Sequence, residues 1–264
     1  MSPQQQEYIR KLSLYKKKVL LYQYSIFLLF LSLWELAANY NLINAFIFSS
    51  PSRMAKAVYA LFSKYALLHH IGITLAETII SFVLVILISI ITATLLWLFT
   101  TAKDICEPYL VVFNSLPKSA LAPVIIVWLG TGMKSIIITA MSVAIFGTII
   151  NIYTGFAQTD PEKMKLIRTL GGSKWDILTK LIFPDSIALI FSTMRVNIGL
   201  CLVGVIIAEF LVANSGIGYI IIYSSQTFKL DWVMTSICIL CLMAILLYKM
   251  VSLLEKHILR KFMG

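Results

Sequence analysis

Long apolar runs separated by short polar stretches set the pattern of this sequence. Six such runs can be drawn, at about 19–38, 71–99, 109–129, 135–153, 187–212 and 232–254. A helix that crosses the hydrocarbon core of a bilayer needs about 20 apolar residues. The pattern therefore predicts an all-α, polytopic membrane protein with about six transmembrane helices, the third of them containing Pro117 and Pro123.

Composition supports lipid as the solvent of this chain. Hydrophobic residues make up 59% of the sequence and charged residues 13%, whereas a soluble domain has roughly 45–50% apolar and about 25% charged residues. The net charge of +10 does not indicate nucleic-acid binding, because the basic residues cluster at the ends and in one loop. The Cys238/Cys241 pair lies inside an apolar run without a second pair, which favours small hydrophobic residues over a metal or redox site.

The distribution of lysine and arginine predicts the orientation, since cytoplasmic loops carry the excess of both. One side of the membrane would carry Arg10, Lys11, Lys16, Lys17, Lys18, Lys103, Lys163, Lys165, Arg168, Lys174, Lys180, Lys256, Arg260 and Lys261. The other side would carry only Arg53, Lys56, Lys64, Lys134 and Lys229. We therefore expect an inner-membrane protein with both termini in the cytoplasm. Its predicted parts are a cytoplasmic N-terminal segment (1–18), a transmembrane domain (19–254) with a long cytoplasmic loop (154–186), and a cytoplasmic tail (255–264).

Two connections on the outer side are predicted to be more than loops. Residues 52–68, which follow Pro51, mix apolar and basic residues in the manner of an interfacial amphipathic helix. Residues 214–230 contain Gly216 and Gly218 before an apolar stretch. They predict a short outer-face helix or a re-entrant piece.

The long cytoplasmic loop predicts two short helices joined by a glycine turn. Asp160 is suited to cap the first helix, and Gly171 and Gly172 to stop it. Ser173 begins a capping-box-like start of the second helix, and Pro184 predicts its end. A compact element of this kind suits docking to a cytosolic partner, although a helix pair lying against the lipid headgroups remains an alternative.

This loop resembles the cytoplasmic signature loop of binding-protein-dependent ABC importer permeases. That signature has Glu-Ala-Ala, three residues, Gly, nine residues and Ile-x-Leu-Pro. Here Gly171 matches the glycine and Pro184 the proline, while Leu181 and Phe183 stand for Ile and Leu. Lys165-Leu166-Ile167 replaces Glu-Ala-Ala. The resemblance implies ATPase-coupling roles for Lys165, Leu166, Ile167, Arg168, Leu170, Gly171, Lys174, Trp175, Leu181, Phe183 and Pro184.

Further segments, from about Trp34 to Trp232, resemble the nitrate/sulfonate/taurine branch of this family. They are Trp34-Glu35-Leu36, residues 48–52, residues 116–123 with Trp128-Leu129-Gly130, Ala208-Glu209-Phe210, and residues 216–219. The resemblance implies a type I ABC importer permease fold. It also implies four partners: a second copy of the chain, two cytosolic ATPase subunits and an extracytoplasmic substrate-binding protein. The solute would be a small anion such as a sulfonate, nitrate or taurine, or a vitamin precursor.

Charged residues in or near the spans are candidates for function, because a charge at mid-bilayer costs roughly 2.5–3.5 kcal/mol on insertion scales. Glu35 and Glu77 lie near the outer ends of their spans, where they are expected to reach interfacial water. Lys118 and Arg195 could attract an anion into the pathway, or equally snorkel or pair with a neighbouring helix. The candidate pathway residues are Asn114, Lys118, Ser119, Arg195, Asn197 and Glu209.

The sequence contains no ATP-binding motif. Gly130-Thr131-Gly132 is not followed by Gly-Lys-Ser or Gly-Lys-Thr, which a phosphate-binding loop requires. We therefore expect no catalytic or metal-binding residue and no cofactor on this chain, with ATP and Mg²⁺ bound by a partner ATPase. A secondary transporter is the first alternative, but it usually shows an internal repeat, and none is evident. A membrane-embedded enzyme is the second, but it would need clustered catalytic groups, and the acidic residues are scattered.

Overall fold

In the computed structural model of the chain, residues 3–212 and 214–263 are described, and their regular secondary structure is helical. Residues 1, 2, 213 and 264 lie outside the described part of the chain, as do the side chains of residues 3, 4, 6, 7, 9 and 261–263. The helices are α1 (Pro3–Asn39), α2 (Ala45–Phe48), α3 (Pro51–Lys64), α4 (Leu67–Leu98), α5 (Thr100–Ser115), α6 (Lys118–Leu129), α7 (Met133–Ala157), α8 (Pro161–Thr169), α9 (Lys174–Ile177), α10 (Phe183–Val212), α11 (Ile217–Gln226) and α12 (Leu230–Met263). A π-helical turn, Leu178–Ile182, joins α9 to α10.

Five described helical runs are long and apolar enough to cross a membrane. They are Arg10–Asn39, Leu67–Leu98, Met133–Ala157, Lys174–Val212 and Leu230–Arg260. The pair α5 and α6 passes the same test jointly, although the two helices are bent by 98° at the break between them. The predicted all-α membrane fold is confirmed, and six spans result when the bent pair counts as one.

The third predicted span, over about 109–129, is observed as two helices with a sharp bend between them. The helix begins earlier, at Thr100, and breaks at Leu116 and Pro117 before α6 starts. Leu116 has an extended backbone, with ψ of 143°, because the ring of a following proline disfavours the helical conformation. Pro108 and Pro123 lie inside α5 and α6 without ending them.

The prediction that Pro184 ends the second loop helix is wrong. The chain stays helical from Lys174 to Val212, so the loop helix and the fifth span form one continuous run. In the π-helical turn the Phe183 amide donates to the Leu178 carbonyl, five residues back. This wider turn changes the hydrogen-bond register just before Pro184 and so accommodates a residue that has no N–H to donate.

The described chain forms two compact units, and the first contains α1 to α3 with Ser224–Thr235. The amphipathic helix predicted over 52–68 is observed as α3, capped by the Ser50 side chain. Glu35 accepts hydrogen bonds from the Ser52 amide (3.0 Å) and hydroxyl (2.8 Å), so its carboxylate complements the positive end of α3. Arg53 forms an ion pair with Asp231 at 2.9 Å. Glu35 therefore holds the first turn of α3 in place. The sequence predicted contact with interfacial water for Glu35 but not these hydrogen bonds.

The second unit comprises Ala66–Tyr223 and the remainder of α12. Its core lies where α7 packs between α4 and α10, in three clusters of buried apolar residues. A Cβ on Gly204 of α10 would overlap the backbone of Ala140 of α7. Small residues thus let these two helices approach closely, as is common between helices in membranes.

Candidate functional site

The first candidate site is the helical knuckle, residues 160–184, and its first helix begins as the sequence predicts. The Asp160 carboxylate accepts a hydrogen bond from the Glu162 amide at 2.9 Å, and Pro161 occupies the first position of α8. An N-cap acid followed by proline satisfies the free amides at a helix start and presets the backbone.

The glycine turn of the knuckle is a Schellman motif. The Gly172 amide donates to the Ile167 carbonyl at 2.9 Å, and the Gly171 amide donates to the Arg168 carbonyl at 3.0 Å. Gly171 has φ of 81°, which confirms the predicted left-handed stop. A Cβ on Gly172 would overlap Ile167. Glycine is therefore favoured at the two positions for different reasons: Gly171 has a left-handed backbone, and Gly172 packs closely against Ile167.

The second half of the knuckle is capped on one side and buried on the other. Ser173 and Asp176 form the predicted reciprocal capping box. Ile177, Leu178 and Ile182 are fully buried, in a cluster that also contains residues of α4, α7 and α10. Close-packed side chains therefore join the knuckle to the long helices.

The outward side of the knuckle is apolar and basic. Leu166, Leu170 and Trp175 are well exposed, and large exposed apolar groups at a rigid surface are typical of interaction sites. The predicted coupling residues thus separate into two sets. Lys165, Leu166, Arg168, Leu170, Gly171, Lys174, Trp175 and Pro184 are exposed, whereas Ile167, Leu181 and Phe183 are partly buried against the core.

The second candidate site is a polar cavity of about 510 Å³ between the α5–α6 break, α7 and α10. Its polar lining consists of Asn114, Lys118, Thr148, Asn151, Thr154, Gln158, Ser192, Thr193 and Asn197. Lys118 is the single charged residue among the lining residues, and its ammonium donates a hydrogen bond to the Asn114 carbonyl. The break at Pro117 frees that carbonyl and places Lys118 at the cavity.

Asn197 is the most informative residue of this cavity. It is 3% exposed, and its side-chain amide nitrogen has no hydrogen-bond partner among the described residues. A buried N–H group without an acceptor is costly. The lining of the cavity therefore contains two kinds of donor, a buried amide N–H without an acceptor and the ammonium of Lys118.

Three predicted pathway residues do not line this cavity. Ser119 is exposed on α6. Arg195 forms an ion pair with Glu255 of α12 at 3.4 Å. Pairing with a neighbouring helix was one of the alternatives that the sequence left open for Arg195. Glu209 is buried and accepts a hydrogen bond from the Thr74 hydroxyl at 2.7 Å. The structure thus brings together Asn114, Lys118 and Asn197 alone from the predicted pathway set.

Sequence reasoning missed the polar face that α7 contributes to the cavity. Thr148, Asn151, Gly155 and Gln158 all line it. They recur at intervals of three or four residues, which places them on one face of a helix. The spacing of these polar residues within an otherwise apolar span could have predicted from the sequence which face of α7 lines the cavity.

Replacing Arg195 by methionine should lower the unfolding temperature of the purified protein. Glu255, whose side chain is 14% exposed, would lose its counter-ion, and such a loss costs about 1–3 kcal/mol. The double variant Arg195→Met/Glu255→Met should regain most of the stability. Lys103→Met should change little, because its acidic partners are largely exposed. A single Arg195→Met variant as stable as the wild type would contradict the structural role.

Comparisons with known proteins agree with this architecture. A probable ABC transporter permease protein of Haemophilus influenzae is 26% identical, over 83% of this chain and 88% of its own length. The formylaminopyrimidine transport permease protein ThiX of Halalkalibacterium halodurans is 26% identical, over 88% of this chain and 92% of its own. The taurine transport system permease protein TauC of Escherichia coli is 22% identical, over 82% and 81%. TauC represents the branch that the sequence resembles.

A solved structure and a family model complete the comparison. An inward-facing MetNI methionine ABC transporter structure superposes with a TM-score of 0.63 at 14% identity, over 76% of this chain and 99% of that one. This likeness confirms the type I importer permease fold. Residues 85–264 match the model of the binding-protein-dependent transport system inner membrane component. That match covers more than half of the chain, which therefore belongs to the family of binding-protein-dependent transport system inner membrane components.

Proposed function

We propose that this chain is the membrane-spanning permease subunit of an ATP-driven importer in the inner membrane, with both termini in the cytoplasm. Two copies would form a homodimer that encloses the translocation pathway. Two cytosolic ATPase subunits would bind ATP and Mg²⁺ and hydrolyse the ATP, and an extracytoplasmic substrate-binding protein would deliver the solute. The observation that carries this proposal is the helical knuckle, which is anchored in the core on one side and exposed on the other.

The knuckle has the properties that a coupling helix needs. Its turn is held by the Schellman motif and the capping box. The knuckle would therefore move as a rigid body and deform little when the ATPase moves it. Leu166, Leu170 and Trp175 present apolar surface for a groove on the ATPase. Arg168 and Lys174 would meet acidic groups at the rim of that groove. ATP-driven movement of the groove would then shift α10, which is continuous with the knuckle.

The cavity supports a small anionic solute. Lys118 provides the charge, while Asn114 and Asn197 add amide groups. No aspartate or glutamate lies among the lining residues to oppose the charge. The similarity to TauC, a taurine transport permease, favours a sulfonate, whereas the similarity to ThiX, a formylaminopyrimidine transport permease, favours a vitamin precursor. We infer a small solute with an anionic group, which would pass between amide and hydroxyl side chains.

The composition of the purified transporter tests this proposal. Native mass measurement should find two copies of this chain with two copies of an ATPase. Leu170→Glu should remove the ATPase, because a charge would enter the apolar contact. Leu42→Glu is the matched control, since Leu42 is as exposed as Leu170 (78% and 77%) but lies far along the chain from the knuckle. One copy beside a different permease chain would contradict the homodimer, and retention of the ATPase by Leu170→Glu would contradict the docking surface.

A further inference from the structure

Two carboxyl groups lie buried together away from the polar cavity. Glu77 of α4 is 3% exposed and Glu209 of α10 is 1% exposed. Thr74, which lies three residues before Glu77 and so on the same face of α4, donates a hydrogen bond to Glu209 at 2.7 Å. The two acids therefore lie side by side between α4 and α10. Among the described residues no lysine or arginine forms an ion pair with either group. The sequence placed Glu77 near interfacial water, and that expectation is wrong, because α4, α7 and α10 enclose this end of the helix.

Glu209 organises the turn that precedes α11. One carboxylate oxygen accepts from the Thr74 hydroxyl at 2.7 Å, and the other accepts from the Gly218 amide at 2.6 Å. The Thr74 oxygen in turn accepts from the Ile217 amide at 2.9 Å. A Cβ on Gly216 or Gly218 would overlap Glu209. The acid therefore serves the free amides of α11, which explains the two glycines that the sequence shows at this turn.

Glu77 has no comparable set of donors. Its Oε2 atom is buried and lacks a hydrogen-bond partner within the described part of the chain. The residue borders a cavity of about 290 Å³, whose polar lining includes Thr131, Gly132, Asn214 and Ser215. Two desolvated carboxylates in contact repel each other strongly, so such pairs retain a proton or take up a cation.

We propose that Glu77 and Glu209 form a proton-binding site, in which one proton is held between the two carboxyl groups. Glu209 is saturated by donors from Thr74 and Gly218, so Glu77 carries the proton and donates it to Glu209. The shared proton removes the repulsion and keeps α4 attached to α10. Through Glu209 it also holds the turn at 216–218, so the site acts as a latch on the start of α11.

Other titratable groups lie on the helices that hold this pair or pack against them. His70 of α4 accepts a hydrogen bond from the Gly216 amide at 2.9 Å through Nδ1, and its ring stacks on Tyr219 of α11. His69 precedes it on α4, and Lys134 lies at the start of α7. Because Nδ1 of His70 accepts a hydrogen bond, that nitrogen carries no proton. Protonation of Nδ1 would break this hydrogen bond and would act on the same turn.

Infrared spectroscopy of the purified full-length chain in lipid nanodiscs tests the proposal directly. Near neutral pH the wild type should show the carbonyl band of a buried protonated carboxylic acid. Glu77→Gln should abolish that band, whereas Glu209→Gln should shift it, because the acid at Glu77 would lose its carboxylate acceptor. Glu107→Gln is the control and should leave it unchanged, because Glu107 is an exposed carboxylate paired with Lys103.

The pH dependence of the wild type provides a second test that does not need the variants to fold. The folded pair keeps a proton that the separated unfolded carboxyls release above their ordinary pKa of about 4.3. Stability should therefore fall as pH rises from that value to the pH at which the folded pair loses its proton, by up to about tenfold in the unfolding equilibrium constant per pH unit. The acid band should disappear at the upper end of this interval. Absence of the band near neutral pH, or its persistence in Glu77→Gln, would overturn the proposal. Sodium or calcium stabilisation that is lost in Glu77→Gln, without the acid band, would identify a cation site instead.

Discussion

Replacing Gly171 by valine should reduce uptake by about tenfold or more while the permease still inserts into the membrane. Gly171 has φ of 81°, and holding a non-glycine residue in that conformation costs about 1–3 kcal/mol. Valine is worse than most, because its β-branched side chain crowds the backbone. Since about 1.4 kcal/mol corresponds to a factor of ten, the Schellman turn would give way to other conformations. Leu166 and Leu170 would then lose their fixed position relative to Trp175.

The loss should appear as weaker ATPase association, or as ATP hydrolysis without uptake, in reconstituted vesicles. Gly171→Asn is the informative comparison, because asparagine tolerates a left-handed backbone better than other residues. It should retain most of the activity. Ser225→Val, an exposed substitution far along the chain from the knuckle, should have little effect. Normal association, hydrolysis and uptake in Gly171→Val would show that the knuckle is not the coupling element.

The knuckle could be predicted from sequence because its signals are local. Asp160, the Gly171–Gly172 pair and the Ser173/Asp176 box each act within a few residues, and all three are observed. Capping and left-handed turns depend on neighbouring backbone groups and little on the remainder of the fold. The transmembrane spans could also be predicted from the sequence, because a helix that crosses the bilayer needs a continuous apolar run.

The two prolines act differently for a common physical reason. Pro117 lies inside the third predicted span and bends it sharply, whereas Pro184 was expected to end a helix and is accommodated. The ring removes one donor in both places, but the outcome depends on the neighbouring hydrogen bonds. At Pro184 a π-helical turn changes the register beforehand, and that turn is held by the buried side chains of Ile177, Leu178 and Ile182. Sequence spacing alone does not reveal such tertiary support.

Long-range partners account for the remaining differences. Arg195 and Glu255 are 60 residues apart in sequence and meet only because α10 packs beside α12. Glu77 and Glu209 meet through the packing of α4 against α10. A charged residue in a span signals that a partner exists, but identifying the partner requires the helix arrangement. The sequence therefore found these residues and left their roles open.

Replacing Lys118 by methionine should raise the solute concentration for half-maximal uptake by about tenfold or more. Lys118 is the single charged residue lining the polar cavity, so an anion inside it has no other cation nearby among the lining groups. Two unit charges 4 Å apart interact by about 4 kcal/mol at an effective dielectric constant of about 20. A third of that energy corresponds to a factor of about ten in affinity. Uptake by wild-type and variant transporters in vesicles, for whichever small anion the wild type carries, gives the comparison.

Two further variants separate the charge of Lys118 from its structural contact with the Asn114 carbonyl. Lys118→Arg keeps the charge and a donor, and it should retain most of the affinity. Lys134→Met removes an exposed lysine at the start of α7, outside the cavity lining, and should leave uptake unchanged. If Lys118→Met reduced ATPase association or the amount of inserted protein as well, the lysine would be holding the α5–α6 break. If uptake of the anion were unaffected by Lys118→Met, the cavity would not select its solute by charge. Recognition from α10 would then rest on uncharged polar groups, namely Ser192, Thr193 and the Asn197 amide.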